Sequence, residues 1–515
     1  MKPTITSPLA WSAVAGALLA LAFPPFNLGF LAYPALAMAL WTIGLAEPRT
    51  SISVRTVAWR SWLFGMAIHL ATLYWAGWVS IPGMIVMVAI LGAYVAAVFV
   101  TCAALMRRYG AVAVWSLPVL WVGHEYLRGL GALAFPWTNL SLSQVAYKPL
   151  IQFADLTGDL GVSALVVVTG VLLFEATRFH FAVRRGRMAV CLAAILLLHL
   201  GVISYGVQAL NSVKDIDSVR IAVLQGDIDS YAKWEDSWVD LSMATYETQT
   251  RDAGANGAEL IVWPETAAPM YLRSEVQAHL LLKQLSKELS TSLLVGTLEF
   301  RHLDEGGYLR YNAALSIDHG RYSSDFHAKM HLVPFGEWIP FSDHFSVLGK
   351  LEVGGAHFTA GDHYVLFEHP KGPYATAICY ESAFPDIVRH FVEHGARFLV
   401  CITNDGWYGF SSGPPQHAAI AILRAVETRR PIARAANSGI SCFIDRRGIV
   451  HDASDQYVPD IRIFDLPLGS ADEQTYFVRH GMWLGRGCAA ASVMLIAWLF
   501  ALLILRRVAP PPRQG

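Results

Sequence analysis

Three residues of the types that acyl transfer needs stand at the ends of apolar runs. Glu265 closes Trp263-Pro264-Glu265 after Leu260-Ile261-Val262, and Cys379 follows Ala375-Thr376-Ala377-Ile378 and opens Cys379-Tyr380-Glu381. Lys329 lies between them and heads the block Lys329-Met330-His331-Leu332-Val333-Pro334-Phe335-Gly336-Glu337. A free thiol ionises near pH ~8.5, so a cysteine nucleophile working at neutral pH needs a base or a nearby cation. Glu265 can take the proton, and Lys329 can hold a thiolate and the oxyanion of a tetrahedral intermediate. The three types suffice for acyl transfer through a thioester, provided that the fold makes them converge.

Taken singly, each has a plainer explanation. A cysteine closing a strand is commonly a small buried hydrophobe, which suits Cys401 and Cys442 inside apolar runs and Cys102, Cys191 and Cys488 in the longer apolar stretches. Cys379 differs in that Tyr380 and Glu381 follow it at a helix start. A Glu after Trp-Pro is otherwise a helix-starting residue, and a lone lysine is a solvated one. His327 and His331 flank Lys329 without a second ligand set, and the six cysteines form no Cys-x-x-Cys pair. Neither a metal site, nor a disulfide framework, nor any cofactor is expected. The net charge of −1 gives no reason to expect nucleic acid as a partner.

The elements that must position these residues belong to a segment running from about 217 to 467. There charges return, and short β-rich runs alternate with amphipathic helical stretches. The patterns predict strands at 219–225, 259–263, 292–297, 312–317, 374–380, 397–403 and 441–445, with helices at 237–253, 274–290, 384–393 and 417–430. Such alternation predicts an α/β layer architecture with a largely buried sheet. Open α/β sheets place chemistry at strand ends, where Glu265, Cys379 and a third feature, Asn404-Asp405-Gly406-Trp407, all fall.

The rest of the chain is of another kind. Of 515 residues, 54% are hydrophobic and only 15% charged, and the mean hydropathy is +0.40. A span takes about 20 mostly apolar residues. We read candidate spans at 8–23, 28–45, 58–78, 84–106, 111–125, 161–177 and 188–209, and one more at 487–505. With the N-terminus inside, the inner loops hold Arg49, Arg55 and Arg60, then Arg107 and Arg108, then Arg178, Arg184, Arg185 and Arg187, and the tail holds Arg506, Arg507 and Arg513. The positive-inside rule then puts both termini in the cytoplasm and the 217–467 segment outside it. The first stretch follows Lys2 and has the look of a signal peptide, but the anchored topology accounts for every span, so we expect it to stay. Segment 126–160 carries Phe135-Pro136-Trp137 and reads either as a re-entrant or interfacial helix or as a buried loop. The spans lack the intramembrane charges that usually mark an ion or substrate pathway.

Together the motifs resemble the nitrilase superfamily. Trp263-Pro264-Glu265, Lys329 with Leu332-Val333-Pro334-Phe335-Gly336-Glu337, and Cys379-Tyr380-Glu381 match its three ordered motifs over roughly 217–467. The resemblance implies an αββα sandwich with a Glu base, a Lys and a Cys nucleophile. Seven spans, such a domain and one closing span look like the apolipoprotein N-acyltransferase family over essentially the whole chain. Gln225-Gly226-Asp227-Ile228 with Lys233-Trp234, and Asn404-Asp405-Gly406-Trp407-Tyr408-Gly409, are similar to it as well. Gly406 stands where Ala is common and Trp338 where Tyr is common, both expected to be nearly neutral.

The expected molecule is therefore an α-helical membrane bundle of about eight spans plus a nitrilase-like αββα domain. Residues 1–216 would form the membrane domain, 217–467 the extracytoplasmic catalytic domain, and 468–515 a linker, the last span and a basic tail. The resemblance implies a bacterial inner-membrane enzyme. It would take an acyl chain from a glycerophospholipid, usually phosphatidylethanolamine, onto Cys379, and pass it to the α-amino group of a lipoprotein's diacylglyceryl-cysteine. By the same resemblance Glu265 is the base and Lys329 the thiolate and oxyanion partner. Glu337 and Glu381 orient Lys329 or polarise the site, Trp234, Tyr380 and Trp407 shape the pocket, and Asn404 is an accessory residue. The apolar stretch 338–358 reads either as a lid dipping into the outer leaflet or as a loop packed on its own domain. Two other readings compete: a membrane-tethered amidase with water as acceptor, and a transporter or sensor with an inert ectodomain. The seven-span frame and the intact Glu265, Lys329 and Cys379 tell against them.

Overall fold

The computed structural model describes residues 8–46, 52–304, 306–339 and 358–508. Most of the stretch read as a lid or a packed loop, 340–357, lies outside the described residues. The chain divides into two compact units, one of residues 1–130, 138–207 and 482–515 and the other of residues 131–137 and 208–481.

The first unit is helical. Its helices are α1 (Pro8–Ala20), α2 (Ala32–Ile43), α3 (Val54–Leu73), α4 (Ile81–Tyr109), α5 (Leu117–Arg128), α6 (Asp159–Phe181) and α7 (Arg185–Ser212, whose last turn belongs to the other unit). Among the described residues four helices are long and apolar enough to cross a membrane: α4, α6, α7 and the C-terminal segment Trp483–Leu505. The other expected spans fall short for identifiable reasons. At 1.5 Å per residue, α1, α2 and α5 reach only about 20 Å against a hydrocarbon core of about 30 Å. Helix α3 has the length, with 20 residues, but carries Arg55, Arg60 and His69.

The expectation of spans nearly free of charge needs correction. Glu125 and Arg128 on α5 and Asp159 and Glu175 on α6 are buried within this unit. Arg128 donates to Thr138 Oγ1 (2.8 Å) and Asn139 Oδ1 (2.7 Å), while Asn139 Nδ2 (2.9 Å) and the Ser141 hydroxyl (3.1 Å) donate to Asp159 Oδ2. Glu125 Oε1 accepts from the Trp121 indole N–H and the Leu140 backbone N–H, each at 2.9 Å. Two of these bonds hold the Leu140 N–H and the Ser141 hydroxyl of Leu140–Gln144, a buried 3-10 turn. Of the two readings of this stretch, residues 140–144 match the buried segment, tied down by polar groups that would be costly to bury unpaired.

The second unit contains two sheets. Its first strand, β1 (Asp217–Gln225), runs parallel to β2 (Leu260–Val262), which runs parallel to β4 (Ser292–His302). Strand β5 (Tyr308–Asp318) returns antiparallel to β4, and β13 (Asp460–Leu468) closes the other edge antiparallel to β1. The short β3 (Ala268–Tyr271), β6 (Arg321–Tyr322) and β7 (His327–Ala328) pair at one side. In the second sheet β8 (Tyr374–Ile378), β9 (Phe398–Thr403) and β10 (Ile432–Ala436) are parallel, followed by β11 (Cys442–Ile444) and β12 (Val450–His451).

Strand periodicity explains the layering. Val219, Ile221 and Val223 of β1 pack with Tyr374, Ile378, Phe398 and Val400 between the sheets. Ala222 and Leu224, pointing the other way, pack with Tyr246 and Ala253 of α8 (Asp236–Ala255) and with Leu282 and Leu285 of α9 (Val276–Glu288). On the far side, Val388 and Phe391 of α10 (Pro385–Glu393) and Ala421 of α11 (Gly413–Thr428) line one small void with Ala377, Leu399 and Ile432. The order is helix, sheet, sheet, helix, the αββα sandwich expected. Strands buried on both faces read as unbroken apolar runs, and these were the ones legible from sequence. Strand β10 was not, because Ile432-Ala433-Arg434-Ala435-Ala436 carries a buried arginine and few β-branched residues.

Candidate active site

Glu265 and Cys379 lie just beyond the C-terminal ends of β2 and β8, and Asn404 just beyond that of β9. The Trp263-Pro264-Glu265 turn sits so close to β4 that a Cβ at Gly296 would be 2.2 Å from the Pro264 carbonyl oxygen. Only glycine permits that approach.

The structure brings Glu265, Lys329 and Glu337 into one hydrogen-bonded cluster. Lys329, on the residue after β7, is 1% exposed. Its ammonium donates to Glu265 Oε1 (3.1 Å) and Glu337 Oε1 (2.8 Å). Asn312 Nδ2 donates to the same two carboxylates, at 2.8 and 3.0 Å. The second oxygen of Glu265 accepts from the Asn404 backbone N–H (2.9 Å), and that of Glu337 from the Val333 N–H (2.8 Å). Burial raises the cost of charge on Glu265, but Lys329, Asn312 and Lys233 outweigh it and hold the carboxyl below its usual range. Burial works against the Lys329 ammonium too, yet Glu265, Glu337 and Cys379 keep it protonated well above the ordinary lysine range.

Cys379 begins a 3-10 turn, Cys379–Ala383, and adopts φ +53. Left-handed backbone on a non-glycine residue is uncommon and concentrates at functional sites. Burial pushes its thiol far above the ordinary cysteine value; Glu265 and Asp405 add to the shift, while Lys329 and the Thr403 hydroxyl oppose it. At rest the sulfur is therefore protonated.

The accessory residues divide by what they touch. Glu381, fully buried, does not bond to Lys329. Its oxygens accept from the backbone N–H groups of Met330 and Ile378, each at 2.6 Å, and from His327 Nε2 (3.2 Å). It thereby ties the lysine loop to the strand that leads into Cys379. The Tyr380 hydroxyl donates to the Ala134 carbonyl (2.8 Å), and its ring stacks on Trp137 with centroids 6.2 Å apart. Phe135-Pro136-Trp137 thus belongs to this unit and walls the turn after Cys379. Trp234 is 43% exposed, with Lys233 Nζ 5.2 Å from its ring centroid. Trp407 is half-buried against Tyr231. Among the described residues neither indole bonds to Glu265, Lys329 or Cys379. Asn404 Oδ1 accepts from Ser230 Oγ (3.0 Å) and Asn437 Nδ2 (3.2 Å). A Cβ at Gly406 would lie 2.3 Å from Ser230 Oγ, so alanine there would turn that hydroxyl off Asn404.

Sequence reasoning missed a second buried network. Arg434 Nη2 donates to Asp405 Oδ2 (2.7 Å), and His417 Nδ1 donates to Asp405 Oδ1 (2.8 Å). His417 Nε2 lies 3.0 Å from both the Cys379 carbonyl oxygen and the Ser382 hydroxyl. Burial raises the Asp405 carboxyl, but Arg434, His417 and Thr403 bring it down to about 2. Asn312 and Lys233 were missed as well. An asparagine opening an otherwise apolar strand was the available signal for the first; the charge of Lys233 beside Trp234 was the signal for the second. Among the described residues no cluster of His, Cys, Asp and Glu could hold a metal ion.

Two protein families match this chain: a carbon-nitrogen hydrolase model over residues 220–476 and an apolipoprotein N-acyltransferase N-terminal domain model over residues 15–172. The chain is 34% identical over 504 residues to the apolipoprotein N-acyltransferase of Geobacter metallireducens, covering 95% of this chain and 94% of that one. It is 30% identical over 514 residues to that of Chlorobaculum tepidum, covering 92% and 93%.

Proposed function

The chain belongs to the apolipoprotein N-acyltransferase family, and from that premise we propose a two-step acyl transfer through a thioester on Cys379. The acyl donor is a glycerophospholipid, phosphatidylethanolamine in the first place, and the acceptor is the α-amino group of a lipoprotein's N-terminal diacylglyceryl-cysteine. The observation that carries this reading is the buried contact of Glu265 with Lys329 at 3.1 Å, both acting electrostatically on the Cys379 thiol.

In the first step Cys379 Sγ attacks the ester carbonyl carbon and its proton passes to Glu265. A resting carboxylate held low is a weak base for a thiol held high, so the proton moves as the C–S bond forms. Negative charge then settles on the former carbonyl oxygen, where the Lys329 ammonium can meet it. Collapse expels the lysophospholipid alkoxide, which takes the proton from Glu265. In the second step the acceptor amine attacks the thioester, Glu265 removes a proton from nitrogen, and the sulfur leaves and is reprotonated. Donor product departs before acceptor is acylated, so the kinetics are ping-pong. Glu337 keeps Lys329 charged and aimed, and Glu381 holds the two loops in register.

A membrane setting suits both substrates. Drawing a chain of about sixteen carbons into water costs roughly 12 kcal/mol, which a site at the bilayer surface avoids. In this reading the chain crosses a bacterial inner membrane about eight times, the shorter helices completing the set. Both termini are cytoplasmic, and the catalytic domain (217–467) faces the periplasm, as the distribution of arginines supports.

The test is intact-protein mass spectrometry after incubation with phosphatidylethanolamine, comparing the parent with Cys379→Ala. A hydroxylamine-labile adduct on the parent alone, discharged by a diacylglyceryl peptide, is the expected result. Discharge to water only would favour an amidase.

A further inference from the structure

The segment that begins at Phe358 is bonded to the backbone of two residues of the Glu265–Lys329–Glu337 cluster. The Phe358 N–H donates to the Glu337 carbonyl (3.0 Å) and the Gly361 N–H to the Lys329 carbonyl (2.9 Å), while the Thr359 N–H donates to the Arg310 carbonyl (2.7 Å). Gly361 comes so close to β7 that a Cβ there would lie 2.3 Å from the Ala328 carbonyl oxygen. On its other side Lys329 donates its N–H to the Asn312 carbonyl (2.8 Å). The backbone of Lys329 is thus gripped between β5 and residues 358–361, a strap whose far end is tied down by side chains.

The tie is His363. Its Nδ1 lies 2.6 Å from Asp362 Oδ1 and its Nε2 2.7 Å from Asp325 Oδ2. A carboxylate only accepts, so both ring nitrogens donate and the ring is an imidazolium; both distances are those of charge-assisted bonds. Asp325 stands two residues before β7, so its bond to His363 fastens the strap to the strand that leads into Lys329. Arg301 on β4 donates to Asp325 Oδ1 (3.2 Å), stands 3.8 Å from Asp362 Oδ1 and lies over the rings of Phe326 and Tyr311. Asp362, Asp325 and Arg301 are the charged groups that act on His363, and Tyr311 is the titratable group beside them. Asp362 and then Asp325 raise the imidazole above its ordinary value of 6.5, against burial and Arg301. The grip is therefore full below the unfolded value and weakens as pH rises through the folded one, because a neutral ring can donate to only one of its two carboxylates.

We propose that His363 is a positioning residue for Lys329 and Glu337: its imidazolium pins the strap 358–363 to Asp325, and acyl transfer slows as that proton is lost. The effect on rate rests on the acyl-transfer reading above, whereas the pinning of the strap is tested without any acyl donor.

The experiment uses the full chain in dodecyl maltoside micelles, which hold no acyl ester, and compares the parent with His363→Leu and His363→Arg between about pH 5.5 and 8.5. Amide hydrogen exchange, corrected for its intrinsic pH dependence, is read by mass spectrometry on peptides covering 329–337 and 358–364. Single-turnover acylation of Cys379 is then timed after addition of phosphatidylethanolamine. At about pH 6 both peptides should exchange faster in His363→Leu than in the parent, and the parent should approach the variant as pH rises. His363→Arg, which keeps a cation at every pH, should stay protected throughout. Ion pairs this exposed are individually weak, so acylation at about pH 6 should be about two- to fivefold slower in His363→Leu, a gap that narrows as pH rises. Unchanged exchange at 358–364 in His363→Leu would overturn the pinning, and faster exchange there with none at 329–337 would overturn the link to Lys329. A gap independent of pH, or a His363→Arg chain that exchanges like His363→Leu, would overturn the role of the proton. Equal acylation of parent and His363→Leu at about pH 6 would overturn the effect on the reaction. Exchange is read before any donor is added, so a failure of the thioester reading would appear separately, as a parent that forms no adduct on Cys379.

Discussion

Two buried charged networks meet at Cys379, and they are built on opposite plans. Glu265, Lys329, Glu337 and Asn312 hold one another side chain to side chain, with both carboxylates sharing one ammonium and one amide. Arg434, Asp405 and His417 form a chain that ends on the Ser382 hydroxyl, beside the backbone carbonyl of Cys379. The first network sits where its charges act on the thiol itself; the second fixes the turn that carries it. The histidine of an Asp–His pair is an acid–base group when a reacting atom faces it. Here Nε2 faces a carbonyl and a serine hydroxyl, so the same pairing serves geometry. The lesson is that a charged constellation is assigned by what its last atom touches.

The sharpest way to break this comparison is at Cys379. Cys379→Ala should abolish the hydroxylamine-labile adduct while leaving the thermal midpoint nearly unchanged, measured on the same preparation. Glu265→Gln keeps the bulk and loses the base, and single-turnover acylation should fall by about 10²–10⁴-fold. The second network should respond in the opposite sense. Asp405→Asn leaves Arg434 buried without its carboxylate and should cost about 3–5 kcal/mol of stability in denaturant titration. Its pH dependence follows from the sign of the shift: the folded carboxyl sits at about 2 against an ordinary value of 3.8. That stabilisation is complete above the unfolded value and is lost as pH falls through the folded one. The gap between parent and variant should therefore be constant near neutrality and close between about pH 4 and 2.

Glu337→Gln tests whether Lys329 needs both carboxylates. One charge-assisted bond becomes a neutral one, so acylation should slow by roughly tenfold with little change in thermal midpoint. A large loss of stability instead would move Glu337 from the first network's role to the second's. Gly406→Ala should have the smallest effect, a few-fold change in rate at most, because the Ser230 hydroxyl can rotate out of the way of the new methyl. An effect as large as that of Glu337→Gln would mean that the Ser230–Asn404 bond helps aim the backbone N–H that Glu265 accepts.

Much of this was readable before any coordinates. The strands buried on both faces announced themselves as apolar runs, and Glu265, Cys379 and Asn404 could be placed just past strand ends because turn residues follow such runs. Short strands such as β3 and β7 left no trace, since two to four residues cannot show a period of two. The partners of Glu381 were hidden for a related reason: they are the backbone N–H groups of Ile378 and Met330, and every residue but proline offers such a group. The helix ends within the apolar stretches were not legible either. Apolar stretches broken by Pro24-Pro25 or ending at Glu125 fold as helices of 12 or 13 residues, and polar partners from residues 138–159 accompany the charges of α5 into the interior of the unit.

By itself the sequence determined the chemistry on offer, the order of the three motifs, an α/β layer architecture and the presence of long apolar helices, because residue type and periodicity are local properties. Only the tertiary structure decided which buried charges face the sulfur. Glu265, Lys329 and Cys379 stand 64 and 50 positions apart along the chain, and Lys233 and His417 enter the same neighbourhood from either side of that stretch. The free energy of a buried charge depends on the partners within a few ångströms of it, and those partners are set by how two sheets pack face to face.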